Sequence, residues 1–484
     1  MAVDKCTRSK FSSGVEVVDQ LSSKRAVFSV LHDALQKGDS IMAFEVIRLG
    51  QPIQKHWSWS GDVYRYPGSG NQLGETGVEW SKHGFTHVDA PCHMIRAGWT
   101  LDDCDIGQLC GEAALVDVSD LIPSGAVNAE ILEARSDHVH RGDILILRSN
   151  LHRVHPNTSP DYWQKSPYVD ASGSQWIVDR GCRALVIDFP QDYCAREMDD
   201  RLVPNEEFTE HQIVLGAKLM HLEHVTDLWK IDQQRVFLIG WPLRLTGADG
   251  GPAAPLALLD WPSSDPRIAD ISIPIAADWR GKVAVCLAKS FENGDPVQET
   301  GVRFQGHSHT HFLTPKYLGG SEGIEQFLGN RLCRRADLVE LSSLPDNHPI
   351  SKDDLTAALA TTNNERVLLL RTGFSERIDY SDKRWLALSP YLTESAAHWI
   401  AEKGYDVVAV DFEIDEGRKK LNFQMPAKDE LHAEARLLEH GIGIIKNLTN
   451  LSVLKTTNPF IAAMPLNLPG AEAAPARVLA LEWS

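Results

Sequence analysis

The sequence contains no run of about 18 or more uninterrupted apolar residues, the length that a membrane-spanning helix needs. It is also poor in cations, with 48 Lys and Arg against 66 Asp and Glu and a formal net charge of −18. Surfaces for nucleic acid or anionic membranes need clustered Lys and Arg, so neither partner is expected. The eight cysteines form no Cys-x-x-Cys pair, which excludes a zinc ribbon and a thioredoxin-like motif.

The N-terminal stretch has no apolar core of the length that a secretory signal needs before its first charged residues. We therefore expect a cytoplasmic protein with reduced thiols. Residues 1–40 are predicted to form an N-terminal extension, in which apolar residues between Val27 and Leu35 have helical spacing. The length of 484 residues predicts two or more domains.

Three short runs rich in Val, Ile and Leu follow further along the chain, AALVDVSD, GDILILRSN and GCRALVIDF. Each is bounded by Gly, Asp or Ser, which is typical of buried strands. The segment SPYVDASGSQWIVDRG, between the second and third runs, predicts a helix that leads into the third strand. This alternation predicts an α/β domain with a mostly buried sheet.

The stretch SKHGFTHVDAPCH contains His83, His87, Asp89 and His93. On an extended strand the first three side chains share one face, because side chains alternate with period two. Pro91 cannot continue a central ladder, so the chain is expected to bend there and bring His93 towards the same pocket. Two imidazoles and a carboxylate on one face predict a divalent-metal site, against the alternative that some of the 19 histidines meet by chance.

This stretch resembles the signature of the metal-dependent cyclase family, His-x-Gly-Thr-His-x-Asp-x-Pro-x-His. The family includes bacterial kynurenine formamidases, isatin hydrolases and certain polyketide cyclases. The chain differs from the signature at one position, where Phe85 stands in place of Gly. On an extended strand Phe85 would share the face of His83 and His87, so we expect its ring to shape the substrate pocket.

A second part of the site is predicted where His211 begins a short helix and Glu223 follows twelve residues later in a strand-like segment. The family ends its metal site with a His and a Glu at this separation. The resemblance therefore implies a ligand set of His83, His87, Asp89, His211 and Glu223, with His93 as the spare general base. In that pattern the first two histidines hold one metal, His211 helps to hold a second, and the two carboxylates bridge.

The aromatic-rich segment KHWSWSGDVYRYPG precedes the motif. Any one of its aromatic residues is more often part of a core than of a site. In the family the equivalent segment contributes an aromatic wall to the substrate pocket. We therefore predict that Trp57 or Trp59 lies in the pocket.

The chain also repeats itself, since ETGV occurs at 75–78 and again at 299–302. The same offset of 224 relates His83 to His307, and later landmarks repeat at an offset one smaller. A register that holds over so much chain predicts a tandem duplication of one domain of roughly 220 residues. The joint is predicted near Trp261–Arg267.

The second copy is predicted to lack the chemistry. At positions 89, 93, 211 and 223 of the first copy it has Leu313, Tyr317, Glu434 and Lys446. Leu cannot ligate a metal, and a Lys cation would repel one or replace its charge. We expect a catalytic domain at 41–261 and a degenerate one at 262–484. The resemblance implies an α/β fold class with two tandem swivelling β/β/α-like domains. Because members of the family pair as homodimers, we expect the two domains to form an intrachain pseudo-dimer. Further association into homo-oligomers stays open.

Zn²⁺ suits a site of imidazoles and carboxylates, and Mn²⁺ is a credible competitor, so one or two ions are expected in the first copy. A bound metal lowers the pKa of its water from about 15.7 towards 7, and His93 would move the proton. This predicts a hydrolase for a small cyclic or aryl amide or lactone. Two alternatives stay open at this point: a metal-dependent cyclase or dehydratase of a carbonyl compound, and a non-catalytic binding protein.

Overall fold

The computed structural model describes residues 45–59, 61–66, 73–80, 83–198, 200–261, 265–277, 283–359, 365–422 and 424–483. The predicted helix between Val27 and Leu35 and the centre of the predicted joint lie outside this part of the chain. Among the residues that the structure describes, no helix has both the length and the apolar character needed to cross a membrane. The predicted domain boundaries stay a prediction.

The first copy is built around a sheet of short buried strands. Its strands are β1 (Val46–Arg48), β2 (Gly61–Tyr66), β3 (Glu75–Trp80), β4 (His87–Asp89), β5 (Cys110–Asp117), β6 (Ala126–Val127), β7 (Ile144–Arg148), β8 (Tyr168–Val169), β9 (Ala184–Ile187), β10 (Met220–Glu223), β11 (Arg235–Ile239), β12 (Gly250–Pro252) and β13 (Leu256–Leu258). In the described residues nine of them pair in the order β1-β13-β11-β5-β7-β9-β10-β4-β12. The three predicted runs form β5, β7 and β9, which are parallel and buried, as continuous apolar runs require.

Helices cover this sheet and place part of the site. They are α1 (Ala129–Arg135), α2 (Leu151–Val154), α3 (Asp161–Gln164), α4 (Ala171–Arg180) and α5 (Thr209–Gly216). The predicted helix before the third strand is α4. It begins where the Asp170 side chain accepts a hydrogen bond from the Gly173 N–H, and it ends at Gly181 with φ 77°. The next helix, α5, carries His211 towards the sheet.

The second copy repeats this architecture. Its strands are β14 (Arg267–Asp270), β15 (Ala284–Lys289), β16 (Glu299–Gln305), β17 (His311–Leu313), β18 (Cys333–Glu340), β19 (Pro349–Ile350), β20 (Val367–Arg371), β21 (Tyr391–Leu392), β22 (Val407–Val410), β23 (Gly443–Lys446), β24 (Phe460–Pro465) and β25 (Ala473–Glu482). Its helices are α6 (Ile324–Phe327), α7 (Lys352–Ala358), α8 (Phe374–Arg377), α9 (Trp385–Leu388), α10 (Glu394–Lys403) and α11 (His432–Glu439).

The main sheet of the second copy has the order β14-β25-β17-β23-β22-β20-β18-β24, and β24 also pairs with β25. The two orders are the same once β12 and β13 are treated as halves of the long strand β25. The start of β25 pairs with β17 as β12 pairs with β4, and its end pairs with β14 and β24 as β13 pairs with β1 and β11. The chain therefore consists of two tandem copies of one α/β fold, as predicted.

Equivalent hairpins join the two copies. Strands β2 and β3 of the first and β15 and β16 of the second form a four-stranded sheet in the described residues, ordered β15-β16-β3-β2. Each hairpin also donates an equivalent main-chain hydrogen bond to an acid of the other copy. The Thr300 N–H donates to Oδ1 of Asp249 at 2.7 Å, and the Thr76 N–H donates to Oε1 of Glu472 at 2.6 Å. The two copies thus form an intrachain pseudo-dimer in which each contributes main chain to the other.

Candidate metal centre

The motif stretch is not one extended strand. His83 and Phe85 have φ angles of 44° and 60°, and β4 covers only His87–Asp89. The prediction that positions 83, 85 and 87 share a strand face is therefore wrong. The left-handed backbone lets His83 turn back, so that its Nδ1 contacts Oδ1 of Asp89 while its Nε2 lies 2.8 Å from Oδ2 of Asp249.

Phe85 occupies the left-handed backbone region that favours Gly, which gives a physical reason for the Gly in the family signature. Its ring is 1% exposed and packs 5.1 Å from the ring of Trp59 and 5.8 Å from that of His56. Its carbonyl oxygen accepts a hydrogen bond from Nδ1 of His87 at 2.9 Å. Phe85 therefore belongs to an aromatic cluster next to His87 and orients that imidazole through its main chain.

The two tryptophans of the segment before the motif have different environments. Trp57 is 45% exposed, and its Nε1 donates to the carbonyl of Asn157. Trp59 is 8% exposed and lies 4.8 Å from the ring of His224. It packs directly over Gly84, where an added Cβ would lie 2.6 Å from Cβ of Trp59. Trp59 therefore borders the histidine cluster, whereas Trp57 lies at the protein surface. Their assignment to a substrate pocket stays a prediction.

Strands β4 and β10 bring two histidines and two carboxylates onto one face of the sheet. They pair antiparallel, with Glu223 opposite His87 and His221 opposite Asp89. Nε2 of His87 lies 3.2 Å from Oδ1 of Asp89 and 3.8 Å from Oε2 of Glu223. It has no hydrogen-bond partner among the described residues, although it is buried. Because Nδ1 of His87 donates to a carbonyl, this Nε2 carries a lone pair that faces two carboxylates.

Helix α5 supplies the third side of the cluster. Nδ1 of His211 lies 2.6 Å from Oδ2 of Asp192, and its Nε2 lies 3.3 Å from Oδ2 of Asp89 and 3.1 Å from Oε1 of Glu223. The carboxamide nitrogen of Gln191 lies 2.8 Å from the same Nε2 and 2.5 Å from Oε1 of Glu223. The lone pairs of His211 and Glu223 thus converge on the Gln191 carboxamide nitrogen, which is a hydrogen-bond donor. A position that faces such lone pairs also suits a cation.

His93 lies in a short 3₁₀ helix, Pro91–His93, at the edge of the cluster. Its ring stacks on that of His83 with centroids 3.8 Å apart. Its Nδ1 lies 2.7 Å from the carbonyl oxygen of Gln298, in the second copy, and 3.1 Å from Oδ2 of Asp249. The bend predicted at Pro91 is present, and it brings His93 next to His83 and Asp249.

The two carboxylates at the centre are anions. Burial tends to raise the pKa of Asp89, but the three histidines of the motif outweigh it and hold that pKa well below its usual range. Burial and Asp89 together raise the pKa of Glu223, yet the neighbouring imidazoles of α5 and β10 outweigh them and lower it to about 2. Both groups are therefore ionised at neutral pH, as metal ligands must be.

The equivalent region of the second copy holds buried ion pairs. Nζ of Lys446, at the position of Glu223, lies 3.1 Å from Oε1 of Glu434 and 3.3 Å from Oε2 of Glu413. The guanidinium of Arg418 forms a second ion pair with Glu434. Two cations thus neutralise two buried carboxylates. The first copy has Glu223 in place of Lys446 and Ala195 in place of Arg418, so its own buried carboxylates, Asp89 and Glu223, lack these cations. Its residues fit a bound divalent cation.

The structure brings all six predicted site residues of the first copy together. Ligand atoms of His83, His87 and Asp89 lie within 4.8 Å of one another, and so do those of Asp89, His211, His221 and Glu223. Sequence reasoning missed Gln191, Asp192, Glu210, His221 and Asp249. The repeat offered a signal for Asp192 and Asp249, since acids, Asp415 and Glu472, stand at the equivalent positions.

The chain is similar to one family model and to several known proteins. The Cyclase family model, described as "Putative cyclase", matches residues 46–191 and 265–415. Kynurenine formamidase of Bacillus cereus is 29% identical over 216 residues, 43% of this chain and 94% of that protein. Kynurenine formamidase of Bacillus mycoides is 30% identical over 214 residues, 43% of this chain and 93% of that protein. The solved structure of isatin hydrolase A from Labrenzia aggregata covers 48% of this chain and 99% of its own, at 16% identity and a TM-score of 0.39. Because the family model matches more than half of the chain, once in each copy, the chain belongs to the Cyclase family.

Proposed function

We propose that the first copy is a metal-dependent hydrolase that cleaves a cyclic or aryl amide or lactone bond. The observation that carries this proposal is the convergence of His87, Asp89, His211 and Glu223 in the first copy, where the second copy has the cation of Lys446. The relatives named kynurenine formamidase support hydrolysis of an amide-type bond.

Two overlapping groups of side chains are proposed to hold divalent cations. One consists of His83, His87 and Asp89, and the other of Asp89, His211 and Glu223. Imidazoles and carboxylates suit Zn²⁺ or Mn²⁺. A divalent ion held there supplies a Lewis acid for a substrate carbonyl and makes water acidic enough to ionise near neutral pH.

His93 is proposed as the general base. The Gln298 carbonyl can only accept, so the hydrogen bond at Nδ1 of His93 places the proton there and leaves a lone pair on Nε2. Nε2 would take a proton from the attacking water and pass it to the leaving nitrogen or oxygen. Asp249, which also contacts Nδ1, favours the imidazolium that forms in between. The second copy has Tyr317 at this position, whose phenol is a poor base near neutral pH.

The substrate class follows from the aromatic cluster beside His87. His56, Trp59, Phe85 and Trp163 form a continuous set of rings, and Trp59 reaches His224 next to Glu223. Planar aryl or cyclic substrates stack well on aromatic rings, and His56 and Trp163 are the partly exposed members of this set. A small aromatic amide, lactam or lactone is therefore the substrate class that we propose.

The main alternative is a cyclase or dehydratase that acts on a carbonyl compound. The family description favours it, and the same cations and base would polarise a carbonyl and remove an adjacent proton without an attacking water. Product analysis separates the two reactions, because hydrolysis adds the mass of one water and dehydration removes it.

Metal analysis combined with a substrate panel tests the proposed function. The purified chain, supplemented with Zn²⁺ or Mn²⁺, is expected to retain metal and to hydrolyse members of a panel of aryl formamides, lactams and lactones. Asp89→Leu is expected to lose metal and activity, while the fold is kept because Leu313 stands at this position in β17. A wild-type chain that retains no metal, or a variant with unchanged metal content, would leave the non-catalytic binding protein as the better reading.

A further inference from the structure

His221 lies on the face of β10 that carries the proposed ligand Glu223, but it is not a member of the predicted ligand set. Side chains alternate along a strand, so His221 and Glu223 point to the same face of β10. His221 is opposite Asp89 in the β4 pairing, and its side chain is 0% exposed. Neither ring nitrogen has a hydrogen-bond partner among the described residues. A buried imidazole without a partner on either nitrogen is unusual, because buried polar groups are nearly always satisfied.

The spacing around His221 matches that of ligands around one ion. Nδ1 of His221 lies 3.4 Å from Oε1 of Glu223, and Nε2 of His211 lies 3.1 Å from the same oxygen. Oδ2 of Asp89 lies 3.3 Å from Nε2 of His211. Donors bound tetrahedrally at about 2.1 Å from a zinc ion are about 3.4 Å apart. One ligand atom from each of these four residues can thus approach a common ion.

Glu210 places a further buried carboxylate behind the two histidines. Its Oε2 lies 3.6 Å from Nδ1 of His221 and 3.6 Å from Nδ1 of His211. The side chain is 0% exposed, and neither oxygen has a hydrogen-bond partner among the residues that the structure describes. Because Nδ1 of His221 is also the atom nearest to Glu223, the orienting contact of Glu210 is with Nδ1 of His211, whose Nε2 is the ligand atom.

The second copy indicates that this pair is not needed for folding. Ala433 stands at the position of Glu210, and Ile444 at the position of His221, both buried. By contrast, the aspartate that begins the helix is kept, since Asp192 accepts from the Glu210 N–H and Asp415 accepts from the Ala433 N–H. The second copy thus has neither this pair nor the proposed ligands Asp89, His211 and Glu223, while the local scaffold is the same.

We propose that His221 is a metal ligand, so that the cation on the His211 side has four protein ligands, Asp89, His211, His221 and Glu223, with Glu210 as an orienting carboxylate. This rests on the proposed function, because it assumes that the first copy holds metal. Four protein ligands close a tetrahedral site, whereas three leave a position open. The His83 and His87 side is then the one that remains accessible to water and substrate. The Gln191 carboxamide has to turn away from His211 for the cation to enter.

His221→Ile and Glu210→Ala test this proposal, because each introduces the residue that the second copy has at that position. Wild-type chain loaded with Co²⁺ is expected to bind two ions per chain, measured by elemental analysis and by competition with a chromophoric chelator. His221→Ile is expected to lower the affinity for one of the two ions by more than about 100-fold. This exceeds the 10–100-fold loss of affinity that is typical of a residue that only orients a ligand. Glu210→Ala is expected to lower the affinity for the same ion by about 10–100-fold. The Co²⁺ absorption spectrum should change with His221→Ile.

Ile444→His is the matched control, and it should bind no additional Co²⁺, because Leu313 and Lys446 remain in the second copy. His221→Gln, which keeps a polar side chain of similar size, provides a second variant if the Ile variant folds poorly. Two ions bound with unchanged affinity and spectrum in either His221 variant would overturn the proposal. A loss of affinity of only about 10–100-fold would assign His221 an orienting role, and that result would also overturn the proposal. A wild-type chain that binds no metal would instead refute the proposed function itself.

Discussion

The main chain of Gln298, in the second copy, holds His93 of the first copy at two points. Its carbonyl oxygen lies 2.7 Å from Nδ1 of His93, and its N–H donates to the His93 carbonyl at 2.9 Å. The second copy therefore fixes both the ring and the backbone of the proposed base. This gives the second copy a role in the first site that does not depend on chemistry of its own.

Gln298→Pro is expected to lower kcat by about 10-fold or more, because proline has no N–H to donate and the His93 backbone loses its anchor. Metal content should stay at the wild-type level, since no proposed ligand contacts Gln298. The measurement is steady-state kinetics together with elemental analysis. Gln298→Ala is the matched control, which keeps both main-chain bonds and should keep nearly full activity. Equal losses in the two variants would show that the side chain, and not the main chain, matters.

His93→Ala is expected to retain metal and to lose activity by about 10²–10⁴-fold, the usual contribution of a general base. His93 stacks on His83 but is not itself a proposed ligand, so the ion content should stay near the wild-type level. His398→Ala, at an exposed helix position, serves as the control and should behave as wild type. Full activity in the His93 variant would mean that another group carries the proton.

Several features could be predicted from the sequence because they depend on local pattern. The buried strands are continuous apolar runs, α4 has an aspartate at its start and a glycine at its end, and the repeat is visible as a constant offset. The backbone at His83 and Phe85 could not be predicted in this way. Left-handed conformations at non-glycine residues are stabilised by tertiary contacts, here with Asp249 and Trp59, which are distant in sequence or outside the motif.

Site residues were missed for a similar reason. Asp249 lies 156 residues after His93, and Gln298 lies 205 residues after it, so only the folded chain shows their contacts. His221 was missed for another reason, because the sequence MHLE has the pattern of an ordinary buried strand. Only the pairing with β4 shows that its face is the one that carries Asp89.

Lys446→Met is expected to lower the free energy of unfolding by about 3 kcal/mol, because it leaves the buried Glu413 and Glu434 with one cation fewer. Chemical denaturation measures this. Lys420→Met removes a cation from a solvent-exposed pair with Glu430 and should cost much less, because solvent screens such a pair. Similar losses in both variants would show that the buried network of the second copy is no more stabilising than a surface pair.

Asp411 is expected to make stability depend on pH between about 4 and 6. Burial raises its pKa to about 6, despite hydrogen bonds from Thr372 and Gly373. The folded state therefore binds more protons than the unfolded state between the usual pKa near 3.9 and 6. The stability that this group contributes is complete below about pH 4 and is lost as the pH rises through 6, by about 3 kcal/mol.

Asp411→Asn should flatten the corresponding part of the pH–stability curve, measured by denaturation across this range. Asp188 has the same raised pKa, about 6, and equivalent bonds from Ser149 and Asn150 in the first copy. Asp188→Asn should therefore flatten the curve by a similar amount. A wild-type slope that persists in both variants would mean that neither carboxyl titrates in this range.

Phe85 allows the strain of the left-handed backbone to be separated from the packing of the ring. Phe85→Ala and Phe85→Gly both remove a fully buried ring and should each cost about 3 kcal/mol or more. At φ 60° a Cβ atom is unfavourable by about 1–2 kcal/mol, so the Gly variant should be the more stable of the two. At an ordinary position the order is reversed, because Gly loses more backbone entropy on folding. Metal binding should persist in both variants, since the carbonyl of residue 85 still accepts from Nδ1 of His87. If Ala proved more stable than Gly in denaturation experiments, residue 85 would not have a left-handed backbone in solution.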